Sequence, residues 1–130
     1  MRFRAALAAL TVLGALYAGP AHAAAPAKTC PQWEPLLARH FPQTVVPKLS
    51  RIAWRESRCN PKSVSATRYT GYPDVGLLQI QGSWKTVTIR ICRPKGSHLV
   101  ALQNPTCNLR VARYLYDNGG LGHWRASSGQ

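Results

Sequence analysis

Residues 45–61, VVPKLSRIAWRESRCNP, decide how the rest of the chain is read. Advancing about 100° per residue from Val45 puts Leu49, Ile52 and Ala53 at roughly 40°, 340° and 80°, one apolar stripe of an amphipathic helix. Lys48, Arg51, Arg55 and Arg58 fall at roughly 220–300°, on the opposite face. Pro47 suits a first turn, and Asn60-Pro61 ends the helix. Glu56 falls at roughly 20°, inside the apolar stripe and next to the loop. A glutamate that was only a solvated charge would stand with the arginines. Burial disfavours the charged form of a carboxyl, and an acid still protonated near neutral pH is what general-acid catalysis needs. The bland alternative is a buried structural Glu paired with one of the arginines.

Working outward, Pro31–Glu34 opens an earlier helix that runs to about His40. Glu34 there is a first-turn anion favoured by the helix dipole. Residues 61–75 are rich in Ser, Thr, Gly, Tyr and Pro, and read as loop or short hairpin. Gly76–Ile80, GLLQI, is a short apolar run. Residues 83–92 are ambiguous, with β-branched residues favouring a strand. Arg93–Ser97 is loop, and a last helix spans Pro105 to Asn118, stopping at Gly119-Gly120. Asp74 precedes the apolar run in the polar turn Tyr72-Pro73-Asp74, where it is expected to be solvated and ionised. Two carboxyls in contrasting environments are the usual pattern for glycosidic bond cleavage. Asp is also a common turn former.

The 130 residues hold 17 Lys and Arg against 4 Asp and Glu, a net +13, so the acids are scarce and their placement is informative. The length suits one domain, and the apolar share is too high for general disorder. MRFR, an apolar run from Ala5 to Ala18 and Ala21-His22-Ala23 read as a cleaved signal peptide, 1–23; the run is too short for a bilayer span. The mature domain, 24–130, then has 15 basic and 4 acidic groups, or +11. Secreted, periplasmic or wall-associated localisation follows, with no membrane anchor after cleavage. Export and an even cysteine count favour two disulfides. The short turn at Pro42 makes the first two helices antiparallel, which pairs Cys30 with Cys59; Cys92 and Cys107 then close the basic loop before the last helix. The cysteines and histidines lack the spacing of a zinc site, so neither metal nor cofactor is expected. The basic residues are scattered over several elements and the chain is exported, which disfavours nucleic acid as partner.

Ile52-Ala-Trp-Arg-Glu56-Ser57 with Asn60-Pro61, then Gly76-Leu-Leu-Gln79-Ile80, then Leu102-Gln-Asn-Pro105 with Asn108-Leu109 and Tyr114-Leu115, then Gly120-Leu-Gly-His-Trp124, resemble in this order the motifs of the lysozyme-like superfamily, which holds c-type lysozymes and soluble lytic transglycosylases. The resemblance covers residues 47–126. It implies a mainly α (α+β) lysozyme-like fold with a small β element. It also implies a monomer acting on peptidoglycan glycan strands, the positive charge serving approach to anionic cell-wall polymers. By this likeness Glu56 protonates the leaving glycosidic oxygen, Trp124 desolvates it, Gln79 contacts sugar, and Ser57 binds substrate or orders the loop. Trp84 and Tyr72 are candidates for stacking on sugar rings. Asp74-Val75-Gly76 follows the c-type arrangement and favours hydrolysis. The Glu-Ser…Asn-Pro segment and the short loop before the signature favour the transglycosylase route to a 1,6-anhydro product. A catalytically inactive cationic binding or antimicrobial protein is the third reading. N-terminal sequencing of exported protein is expected to begin at Ala24; a mature chain beginning at Met1 would overturn the signal assignment.

Overall fold

The structure, a computed structural model, describes residues 16–66 and 70–125. Most of the predicted leader and the last five residues of the predicted domain lie outside them. Among the described residues no helix is long and apolar enough to cross a membrane. The fold is mainly helical, with one two-stranded antiparallel sheet and two disulfides. A 3₁₀ turn, Pro31–Trp33, leads into α1, Glu34–His40, and a second, Gln43–Val45, into α2, Val46–Ser57. Strands β1, Asp74–Val75, and β2, Ile80–Gln81, follow. Helices α3, Lys85–Cys92, α4, His98–Leu102, and α5, Pro105–Gly119, complete the core, and a 3₁₀ turn, Gly122–Trp124, closes the described chain.

Each proline-led helix begins where the sequence puts it, because proline fits a first turn that has no acceptor for its missing N–H. Asn104 caps α5 with its side chain on Cys107 N–H, and Ser97 caps α4 on Leu99 N–H. Leu49, Ile52 and Ala53 of α2 are fully buried, as the stripe requires. α1 packs on α2 and α5, and Cys30–Cys59 ties the start of the first to the end of the second. Ser50, buried on α2, accepts from Cys30 N–H at 2.8 Å and fixes that crossing. Arg113 of α5 donates to His40 O at 2.6 Å, satisfying a carbonyl at the end of α1. Cys92–Cys107 joins α3 to α5.

Residues 85–92 form a helix, against the strand preference of Thr86, Val87, Thr88, Ile89 and Ile91. Their covered positions recur every three or four residues, with Trp84, Val87, Ile91 and Cys92 partly buried and Thr88 fully buried. Packing on α4 and α5 rewards that period and overrides propensity. Thr88 Oγ1 also donates a hydrogen bond to Trp84 O at 2.8 Å, which satisfies the buried hydroxyl within the helix.

The sheet is a hairpin with Asp74 opposite Gln81 and Val75 opposite Ile80. Its loop, residues 76–79, starts and ends in left-handed backbone, at Gly76 (φ +83°) and Gln79 (φ +48°). Asn108, fully buried on α5, holds this loop. Its Nδ2 donates to Val75 O at 2.8 Å and Leu102 O at 3.0 Å, while Oδ1 accepts from Leu78 N–H at 2.9 Å. A Cβ at position 76 would run into Leu102 O and the Asn108 amide, so glycine is needed there for space as well as for φ. Asn108→Ala should lower unfolding free energy by at least about 2 kcal/mol, since it strands buried backbone groups at about 1–3 kcal/mol each. Asn108→Asp should also destabilise, because a carboxylate cannot donate to the two carbonyls. Urea unfolding with the disulfides intact measures both; a loss of Asn108→Ala below about 0.5 kcal/mol, the range of unremarkable surface changes, would refute the assigned role.

Candidate active site

Glu56 lies in the last turn of α2, half-buried, on the side of the apolar stripe. The helix then stops abruptly. Arg58 and Cys59 both adopt left-handed backbone, at φ +54° and +63°, and Arg58 and Cys59 N–H return to Trp54 O and Ala53 O. The Arg58 guanidinium lies 3.8 Å from the Trp54 ring centroid and donates to Trp54 O, which steadies an unfavourable cap for a non-glycine residue.

Glu56 and Asp74 line one cleft of about 360 Å³, with Gln79, Gln81, Trp84, His123 and Trp124. Ile80 and Leu115 add apolar wall. Asp74 and Gln81 are register partners, so both side chains leave the same face of the hairpin. The aromatic end is built edge to face: Trp84 and His123 have centroids 5.8 Å apart at 77°, and His123 and Trp124 5.9 Å apart at 66°. His123 packs its Nε2 edge against Gly119, where a Cβ would come within 3.2 Å. Trp124 is almost fully buried and donates from Nε1 to Leu78 O at 2.8 Å, so its indole is fixed against the hairpin loop.

Asp74 departs from the solvated turn acid the sequence suggests. It is a strand residue, half-buried, whose N–H donates to Ser65 Oγ at 2.9 Å and whose carbonyl accepts from Ser65 N–H at 2.9 Å. Partial burial raises its pKa above the ordinary value, and the Ser65 hydroxyl, 3.4 Å from Oδ2, pulls the other way. The local pairing with residue 65 could not be read from the loop's composition.

Gln79 is in the cleft, with its Nε2 committed to Ser63 O at 3.1 Å and Gly76 O at 3.0 Å. The carboxamide oxygen is the part of this side chain left for a ligand. Ser57 lies outside the cleft lining, and its contacts are those of a residue that orders the loop. It is buried, with Oγ 2.8 Å from Leu77 O and 3.0 Å from Ala53 O, and so fastens the end of α2 to the hairpin loop. Tyr72 is half-exposed and also outside the cleft lining. Gln81 and His123 were not singled out in the sequence; the register that turns Gln81 beside Asp74, and the turn at 122–124 that delivers His123, are products of tertiary structure. Among the described residues no three His, Cys, Asp or Glu side chains converge as a metal centre would need. No family model, curated protein or solved structure matches the chain.

A carboxyl whose pKa is raised on folding is destabilising when ionised, because the folded state binds the proton more tightly than the unfolded one. Its cost is absent below the ordinary carboxylate pKa and complete above the raised folded value. Asp74→Asn should therefore raise the melting temperature at neutral pH, with the gain vanishing as pH falls through the carboxylate range. Melting curves from pH 3 to 7 test this, and a gain independent of pH would show that Asp74 carries no such strain.

Proposed function

We propose that the chain is an exported peptidoglycan-cleaving enzyme of lysozyme-like fold, a muramidase acting on the MurNAc–GlcNAc glycosidic bond. One observation carries the reading: Glu56, Asp74, Gln79 and Trp124, drawn from three separated motifs and the turn before the second, line the same cleft. A half-buried acid at the end of a helix and a buried tryptophan on one cleft wall support the general-acid reading. Two disulfides accord with an oxidising compartment.

In this mechanism Glu56 gives its proton to the glycosidic oxygen as the bond to the muramic acid anomeric carbon breaks. The leaving sugar departs as an alcohol, and positive charge builds on the anomeric carbon and ring oxygen. Asp74, from the hairpin face of the cleft, offsets that charge. Glu56, now a carboxylate, takes a proton from the incoming nucleophile. A water nucleophile gives a reducing muramic acid end. The sugar's own 6-hydroxyl gives a 1,6-anhydro end, and the two-residue strands, which make only a small β wall, are the feature that favours this second route. The c-type position of Asp74 keeps hydrolysis the primary reading.

Glu56→Gln preserves shape but cannot act as an acid, and wall lysis should fall at least about 10²-fold. A folded Glu56→Gln protein with near-normal lysis in a zymogram would end the assignment, and a wild-type chain with none would favour a cationic binding protein. Mass spectrometry of digested peptidoglycan separates the two routes. Reducing muramic acid ends are expected, and predominantly anhydro ends would mean that Asp74 does not direct water to the reaction.

A further inference from the structure

Helix α2 presents two chemically opposed faces. The inner one buries Leu49, Ile52 and Ala53 and ends at Glu56 in the cleft. The outer one carries Lys48, Arg51 and Arg55 in the helix and Arg58 just beyond it; the three arginines are exposed and Lys48 partly so. With about 1.5 Å of rise per residue, Lys48 to Arg55 spans roughly 10 Å with a cation about every 5 Å. Like charges at i,i+3 and i,i+4 destabilise a helix by themselves. A row of this kind is a cost to the helix that carries it.

We infer that the outer face of α2 is a docking surface for a linear phosphodiester polymer of the cell wall, a polyol phosphate chain, which it grips while the cleft on the other side of the helix works on glycan. The choice of partner rests on the wall-cleaving function proposed above; the face itself does not. A row of cations a few ångströms apart matches a chain that repeats one negative charge per unit. The surroundings discriminate among polyanions. Binding of single-stranded nucleic acid relies on open aromatic faces for base stacking. Trp54, the aromatic residue of this helix, already has the Arg58 guanidinium 3.8 Å and Lys28 Nζ 5.4 Å from its ring centroid. An anionic bilayer would call for apolar anchors beside the cations, but the apolar side chains of α2 are turned into the core. A polymer recognised through its phosphates alone suits what remains. The opposed placement means that the gripped polymer and the glycan substrate do not compete for the same ground.

The test is binding of deacylated poly(glycerol phosphate), titrated by isothermal calorimetry at several salt concentrations. The wild-type chain is compared with Lys48→Gln/Arg51→Gln/Arg55→Gln and with Lys62→Gln/Lys85→Gln/Lys95→Gln, which removes the same charge from exposed positions on other elements. The first triple should lose at least about tenfold in affinity, with its salt slope reduced by about 2, from roughly 0.7 per lost phosphate contact. The second should lose less than about threefold. Equal losses in both would overturn the proposal by showing attraction to net charge alone. Tighter binding of a single-stranded oligonucleotide with the same number of phosphates, sensitive to the α2 triple, would overturn it in favour of nucleic acid. Cleavage of soluble, phosphate-free glycan fragments should be unchanged in the α2 triple. If the wild type cleaves no glycan yet binds the polymer through α2, the docking surface stands and the proposed enzymatic function falls.

Discussion

The side-chain amide of Asn108 is the constraint on which the rest of this molecule depends. A carboxamide buried in a hydrocarbon core must satisfy every donor and acceptor it carries. It does so here on the backbone of three different segments, β1, the hairpin loop and the end of α4. Those bonds fix where the loop 76–79 sits on α5. Ser57 then reaches the same loop from α2, and Trp124 reaches it from the far end of the chain. Among the described residues no buried side-chain nitrogen or oxygen is left without a partner. The hairpin is two residues wide on each side, too short to be stable by itself, and it stands because α2, α5 and the terminal turn all hydrogen-bond to its loop.

The cleft inherits its geometry from that arrangement. Glu56 sits one residue before the Ser57 anchor, Asp74 one residue before the carbonyl that Asn108 binds, and Trp124 is itself an anchor. Each of these cleft side chains is thus carried by a residue that is fastened, or by its immediate neighbour. Preorganisation of this kind is what catalysis by positioned groups requires. The left-handed pair at Arg58 and Cys59 contributes in the same way, since it ends α2 at Ser57, one residue past Glu56, and keeps the carboxyl in the last turn.

Much of this was legible in the sequence, and what was not has identifiable causes. The stripe of Leu49, Ile52 and Ala53 fixed both the inward face of α2 and the side on which Glu56 emerges. The two proline-led helix starts and the short turn between them were enough to pair Cys30 with Cys59. Residues 83–92 stayed ambiguous because β propensity pulled against the three-and-four spacing of Trp84, Thr88 and Ile91, a spacing that shows its meaning once α5 is there to pack against. The setting of Asp74 was misread for a related reason. Pairing with Gln81 makes the turn acid a strand residue, and Ser65, nine residues earlier, hydrogen-bonds to it from the other side; no local pattern announces the contact with Ser65. For Ser57 both substrate binding and loop ordering were open, because adjacency in sequence does not say which of two neighbours on a helix faces the cleft; its side chain is buried against Leu77 O.

The two disulfides occupy separate stretches of the chain, residues 30–59 and 92–107, and neither encloses a cysteine of the other. Their loops are neither nested nor interlaced, so oxidation of one does not thread or trap the other, and they can close in either order. The hairpin that forms one wall of the cleft lies between them, spanned by no covalent bridge. The chain is therefore stapled at its two ends and hydrogen-bonded at its centre. Substitutions in the central wall can alter what the cleft accepts without disturbing the pairing of sulfurs, and the bridges can form in an oxidising compartment before that wall has taken shape.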